Sequence, residues 1–208
     1  MKDSLILFDC DGVLVDSEPV ANAVLAEHLT QHGLPTSPQQ ALERYKGRSL
    51  KSVLAMAEDA LGRSLPAHFL ADMQAETFRA FEKHLRAVSG AEDLVQWVQA
   101  QGYRTCIASS GDYEKLDKTL GITGLKKYFE GRIFSAVDVE NGKPAPDLFL
   151  HASEAMGTPP QRCFVIEDSG AGIAASIAAG MHVFAYGPFE KAHNVTPVKR
   201  LRDIKELL

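Results

Sequence analysis

Cysteine is scarce. Cys10, Cys106 and Cys163 are the three in 208 residues, and no two form a CxxC pair. That leaves neither a disulfide framework nor a thiolate zinc site, and each thiol lies in or beside an apolar run, as buried cysteines do. Positive charge is not in excess either: 22 lysines and arginines face 27 aspartates and glutamates, a net charge of −5. A protein that tracks nucleic-acid phosphates carries the opposite balance, so no nucleic-acid partner is expected. Long apolar runs are also missing. The first, Leu5 to Phe8, meets an acid after four residues, too short for the apolar region of a signal peptide. Residues 169–189 carry no Asp, Glu, Lys or Arg, but four glycines, many alanines, His182 and Pro188 keep their hydrophobicity low. A buried helix followed by a buried strand accounts for them better than a membrane span. The expectation is a soluble, cytoplasmic protein without a membrane partner.

What is present is an ordinary globular composition, 45% hydrophobic and 24% charged. Leu5 to Asp9 reads as a short buried strand. From Glu18 the apolar spacing becomes helical (Ala21, Val24, Leu25, His28, Leu29) and stops at Gly33. Ser37-Pro38 opens a second helix towards Tyr45, Ser49 a third, and Phe69, Met73, Ala80, Phe81 and Leu85 mark a longer fourth. Residues 17–87 are therefore all helix. Beyond them helix and strand alternate, with strands expected at 103–109, near Ile133, at 163–167 and at 182–186. That alternation predicts an α/β fold with a parallel sheet and helices on both faces. The domains expected are residues 1–16 with 88–208 as an α/β core, and 17–87 as an inserted helical domain. Trp97 falls on a core helix and is expected to pack there, while His28, His32, His68 and His84 of the insert read as surface or interface residues.

Ligands of open parallel sheets bind beyond the carboxyl ends of the strands. The residues there are Asp9 with Asp11, Ser109, and Glu167 with Asp168. At period two Asp9 and Asp11 face one side and Cys10 the other, which makes Cys10 a packing residue. Each acidic pair alone is also ordinary turn chemistry. Together they are harder to dismiss, because two carboxylates about 4 Å apart repel by about 4 kcal/mol at an effective dielectric of about 20. An all-oxygen cluster without histidine or cysteine suits a hard cation, and Mg²⁺ fits best. Lys143, in Gly142-Lys143-Pro144-Ala145-Pro146-Asp147, stands in a loop stiffened by proline and could bind phosphate. Ser109, followed by Ser110 and Gly111, offers a hydroxyl and an amide to an anion.

The run Asp9-x-Asp11-Gly-Val-Leu-Val-Asp16-Ser17, the strand-end Ser109, Lys143 in GKPAPD and Ile166-Glu167-Asp168-Ser169 resemble the four motifs of the haloacid dehalogenase superfamily, in family order. The helical insert resembles the subgroup with an α-helical cap, which includes sugar-phosphate phosphatases and β-phosphoglucomutase. The resemblance implies a Rossmann-like core with that cap, and a phosphatase acting on small phosphorylated sugars or sugar acids. It implies Asp9 as nucleophile forming an aspartyl-phosphate, and Asp11 as general acid and then base. Ser109, with Ser110, and Lys143 would hold the phosphoryl group. Asp9, the main-chain carbonyl of Asp11, and Asp168 would bind Mg²⁺, with Glu167 as a ligand or as partner of one. Family members that perform dehalogenation lack an acid at the position of Asp11, which argues against that chemistry here.

Tyr45-Lys46-Gly47-Arg48-Ser49 resembles the family's substrate-specificity loop, so Lys46, Gly47 and Arg48 are candidate substrate-binding residues; a solvated basic face is the plain alternative. The histidine and arginine that β-phosphoglucomutase carries in its cap have no counterpart near Ala21 and Leu50. Hydrolysis is therefore expected over the rivals, a hexose-phosphate mutase or a catalytically silent phosphate-binding regulator. The expected assembly is a monomer or small homo-oligomer.

Overall fold

A computed structural model describes residues 3–45 and 50–208. It divides into two compact units, Asp16–Arg86 and the combination of Met1–Val15 with Ala87–Leu208. The larger unit begins with β1 (Leu5–Phe8), buried throughout because strands flank it on both sides.

The smaller unit holds α1 (Glu18–Gln31), α2 (Pro38–Tyr45), α3 (Leu50–Leu61) and α4 (Phe69–His84) around a core of its own. Helix α2 starts on a reciprocal cap: Ser37 Oγ accepts from the Gln40 N–H at 3.2 Å, and Gln40 Oε1 accepts from the Ser37 N–H at 2.8 Å. Two histidines expected at a surface or interface instead flank the buried Phe69, His28 at 5.8 Å and His32 at 5.0 Å between ring centroids. Helical spacing puts both on the face of α1 that meets α4.

The larger unit continues with α5 (Ala91–Ala100), β2 (Arg104–Ser109), α6 (Tyr113–Ile122), β3 (Ile133–Ser135), α7 (Asp147–Ala155), β4 (Cys163–Glu167), α8 (Gly170–Ala178), β5 (His182–Tyr186) and β6 (Val195–Val198). All six strands are parallel, in the order β3-β2-β1-β4-β5-β6. Alternation along the strands sends Leu5, Leu7, Val165 and Val183 into one cluster with Leu148 and Phe149 of α7 and Ile173 and Ala175 of α8. Phe8 packs against Phe129 at 5.7 Å. The uncharged stretch 169–189 resolves into α8 and β5, and among the described residues no helix is long and apolar enough to cross a membrane.

Strand β6 is absent from the sequence-based expectation. Pro197 hides it, since proline cannot donate to a ladder; it is tolerated here because β6 is the sheet edge. Trp97 is half-buried rather than a core residue, with the Lys205 ammonium of the C-terminal 3-10 turn 5.9 Å from its ring centroid.

Candidate active site

The direction in which successive strands are added reverses between β1 and β4, so the switch point lies at their carboxyl ends. Phe8 pairs with Ile166 on one side and Ile107 on the other, which sets Asp9 level with Glu167 and Ala108. The Asp9 N–H donates to the Ile166 carbonyl at 2.9 Å, fixing the first residue past the strand. Lys143 joins the two strand ends: its Nζ donates to Asp9 Oδ1 at 2.6 Å and to Glu167 Oε2 at 2.7 Å. Its side chain is 4% exposed, and its ammonium lies 4.8 Å from the Phe149 ring centroid.

Glu167 is held at both carboxylate oxygens. Its Oε1 accepts from the Asp168 N–H, the Ser169 N–H and the Ser169 hydroxyl at 3.0, 3.0 and 2.9 Å, while Oε2 takes Lys143. Burial opposes the charge on Lys143, yet Asp9 and Glu167 together outweigh it and hold the lysine above its usual value. Two carboxylates sharing one ammonium leave a surplus negative charge. Burial and then the Glu167 charge push Asp9 well up, with Lys143 opposing.

One carboxylate oxygen from each of Asp9, Glu167 and Asp168 lies within 4.8 Å of the others. The surroundings are shaped for these acids. Gly12 has φ +80, and a Cβ there would collide with Asp168 Oδ2; a Cβ at Gly172 would collide with Glu167 Oε2. Oxygen donors alone suit a hard divalent cation. With Glu167 Oε1 engaged by three donors and Oε2 by Lys143, Asp9 and Asp168 are the acids better suited to direct contact with a cation.

Asp11 Oδ2 accepts from Lys115 Nζ at 2.7 Å. Burial works against the Lys115 charge, and Asp11 more than offsets it, so the lysine is raised. Sequence reasoning missed Lys115. The available signal was its place one turn into the helix that follows Ser109, since helices leaving strand ends start beside the site. Ser109 is buried, and its Oγ accepts from the Gly111 N–H at 3.1 Å, which holds the hydroxyl in the β2 turn. Ser110 is exposed. Lys46, Gly47 and Arg48 lie outside the described residues. Cys10 is fully buried, and burial pushes its thiol well up, which removes it as a nucleophile.

Comparison with known proteins decides the family. A model of haloacid dehalogenase-like hydrolases matches residues 4–180. The chain belongs to this family. A haloacid dehalogenase-like protein from Agrobacterium tumefaciens superposes with a TM-score of 0.84 at 32% identity, covering 98% of this chain and 96% of that one. A family hydrolase from Deinococcus radiodurans, solved with bound phosphate and sodium, gives a TM-score of 0.76 at 31% identity over 89% of this chain and 81% of that one. The 6-phosphogluconate phosphatase of Escherichia coli strain K12 is 31% identical over 182 residues, 87% of this chain and 81% of its own. The matched span includes every acid of the cluster and both lysines, so the strand-end arrangement of this hydrolase lies in the part it shares with its family.

Proposed function

We propose that this hydrolase is a Mg²⁺-dependent phosphatase of small phosphorylated metabolites, either sugar phosphates or phosphorylated sugar acids, working through an aspartyl-phosphate on Asp9. The carrying observation is the buried Asp9 carboxylate gripped by Lys143 at the sheet's switch point, with Asp168 seated beside it over Gly12. The relative named as a 6-phosphogluconate phosphatase and the solved relative holding phosphate support the substrate class.

Phosphoryl transfer needs in-line positioning and neutralised charge more than covalent machinery. An Asp9 carboxylate oxygen attacks phosphorus, and the bond to the ester oxygen breaks. Asp11 delivers a proton to the departing alkoxide. Asp11 then takes a proton from water as that water attacks phosphorus, which frees inorganic phosphate and restores Asp9. Lys143 opposes the rise that burial and Glu167 impose on Asp9, favouring its carboxylate form, and lies beside the incoming anion. Ser109, with its hydroxyl fixed in the β2 turn, contributes a hydrogen bond to the phosphoryl oxygens. Asp9 and Asp168, with the Asp11 carbonyl, would hold Mg²⁺, which would supply positive charge against the phosphoryl oxygens.

A phosphate-release screen over sugar phosphates and phosphorylated sugar acids with Mg²⁺ tests this reading. Release is expected, and Asp9→Asn should abolish it while circular dichroism stays unchanged. Isomerised product without phosphate would assign a mutase, and saturable binding without turnover a regulator. Full activity in a purified Asp9→Asn protein would refute the phosphoenzyme.

A further inference from the structure

We propose that Lys115 is a positioning residue for this reaction, holding the Asp11 carboxylate in the orientation from which it protonates the leaving group. This rests on the phosphatase reading of Asp11 and adds a residue to it. Asp11 lies past the end of β1, where period-two geometry no longer dictates side-chain direction. Its Oδ2 is 2.7 Å from Lys115 Nζ, a residue 104 positions away in sequence. Lysine is a flexible anchor unless its backbone is fixed, and here it is. Asp112 Oδ1 accepts from the Lys115 N–H at 2.8 Å and starts α6, so the backbone of Lys115 is set by the helix cap. The stem runs past the β2 turn. A Cβ at Gly111 would lie 3.5 Å from Lys115 Cδ and 3.6 Å from Ser109 Oγ, ordinary contact distances that place the stem alongside this turn.

The second lysine of the site has different work. Lys143 is committed to Asp9 and Glu167 and is almost fully buried, whereas the Lys115 side chain is 32% exposed and the Asp11 side chain 27%. The pair is therefore more open to solvent than the nucleophile, whose side chain is 10% exposed, as a group that must meet a leaving group has to be. An ion pair there favours one direction of the Asp11 carboxylate among its staggered rotamers. It can also yield, because solvent reaches and screens a partly exposed pair.

The test uses kcat/KM, which covers only the steps through departure of the leaving group, on p-nitrophenyl phosphate, phenyl phosphate and a sugar phosphate. Loss of a well-placed acid steepens the dependence on leaving-group basicity. Lys115→Met should lose about tenfold or more on the sugar phosphate and less than about threefold on p-nitrophenyl phosphate. Lys115→Arg should recover most of the loss. On phenyl phosphate the double variant Asp11→Asn/Lys115→Met should be no slower than Asp11→Asn alone, because the two residues act as one unit. Thermal melts accompany each variant, and Lys115→Gln takes the place of the methionine variant if that one does not fold. Equal losses on all three esters, additive losses in the double variant, or no loss at all would overturn the assignment. A wild-type protein that releases no phosphate, or an Asp11→Asn variant with an unchanged leaving-group slope, would instead refute the phosphatase reading itself.

Discussion

Lys143 answers two carboxylates with one charge, and its environment makes any loss of that charge expensive. A buried ion pair contributes little net stability when intact, but removing one partner strands the other without solvent. Lys143→Met should destabilise the fold by about 3–5 kcal/mol at neutral pH, read from urea unfolding. The sign of the pH dependence follows from Asp9, which burial and then Glu167 raise above the usual carboxylate value. Protonation removes the stranded charge, so the deficit should shrink as the pH falls through the raised Asp9 value, above the usual carboxylate range, and grow as the pH rises past it. A deficit that stays constant with pH would mean that Lys143 stabilises by packing on Phe149 rather than by charge. Lys143 was legible in the sequence as a lysine held by prolines. Its commitment to both Asp9 and Glu167, 134 and 24 residues away, was not.

At the scale of elements, the site depends on how β1 and β4 end. Each strand is followed by a glycine that makes room for a carboxylate: Gly12, in the turn after β1, for Asp168, and Gly172, in the first turn of α8, for Glu167. Gly172 lies within α8, where alanine would ordinarily stabilise a helix by about 1 kcal/mol. Here the added methyl would collide with Glu167. Gly172→Ala should therefore destabilise, the reverse of the propensity effect, and should lower phosphatase turnover by displacing the partner of Lys143. Thermal unfolding and a phosphate-release assay check both. A stabilised and fully active variant would show that Glu167 can move without consequence. The helix–strand alternation around these ends was readable because apolar periodicity is a local property. Strand β6 was not, because four residues containing a proline become a strand only when β5 offers an edge to pair with.

Among the described residues one hydrophobic cluster lies within the helical unit and another against one face of the sheet. The acidic cluster belongs entirely to the α/β unit. A cation that binds the folded cluster and not the unfolded chain stabilises that unit by mass action, by about 2.7 kcal/mol at a free concentration of 100 times its Kd. In calorimetry, Mg²⁺ should raise the unfolding transition of the α/β unit relative to chelator-treated protein, and Asp168→Asn should cancel the rise. An equal rise in the Asp168→Asn protein would assign the ion to some other site.

By itself the sequence determined the parallel α/β core, the four-helix insertion and the acids placed at strand ends, because periods of 2.0 and 3.6 and the ends of apolar runs are written in neighbouring residues. It also determined the family, through motifs that are each short and contiguous. Only the tertiary structure decided how charge is shared among those motifs: that Lys143 bridges Asp9 and Glu167, that Asp168 rests over Gly12, and that Lys115 takes hold of Asp11. Coulomb energy depends on distances in space between residues far apart in the chain, and nothing in local composition encodes those distances until the strands have chosen their order.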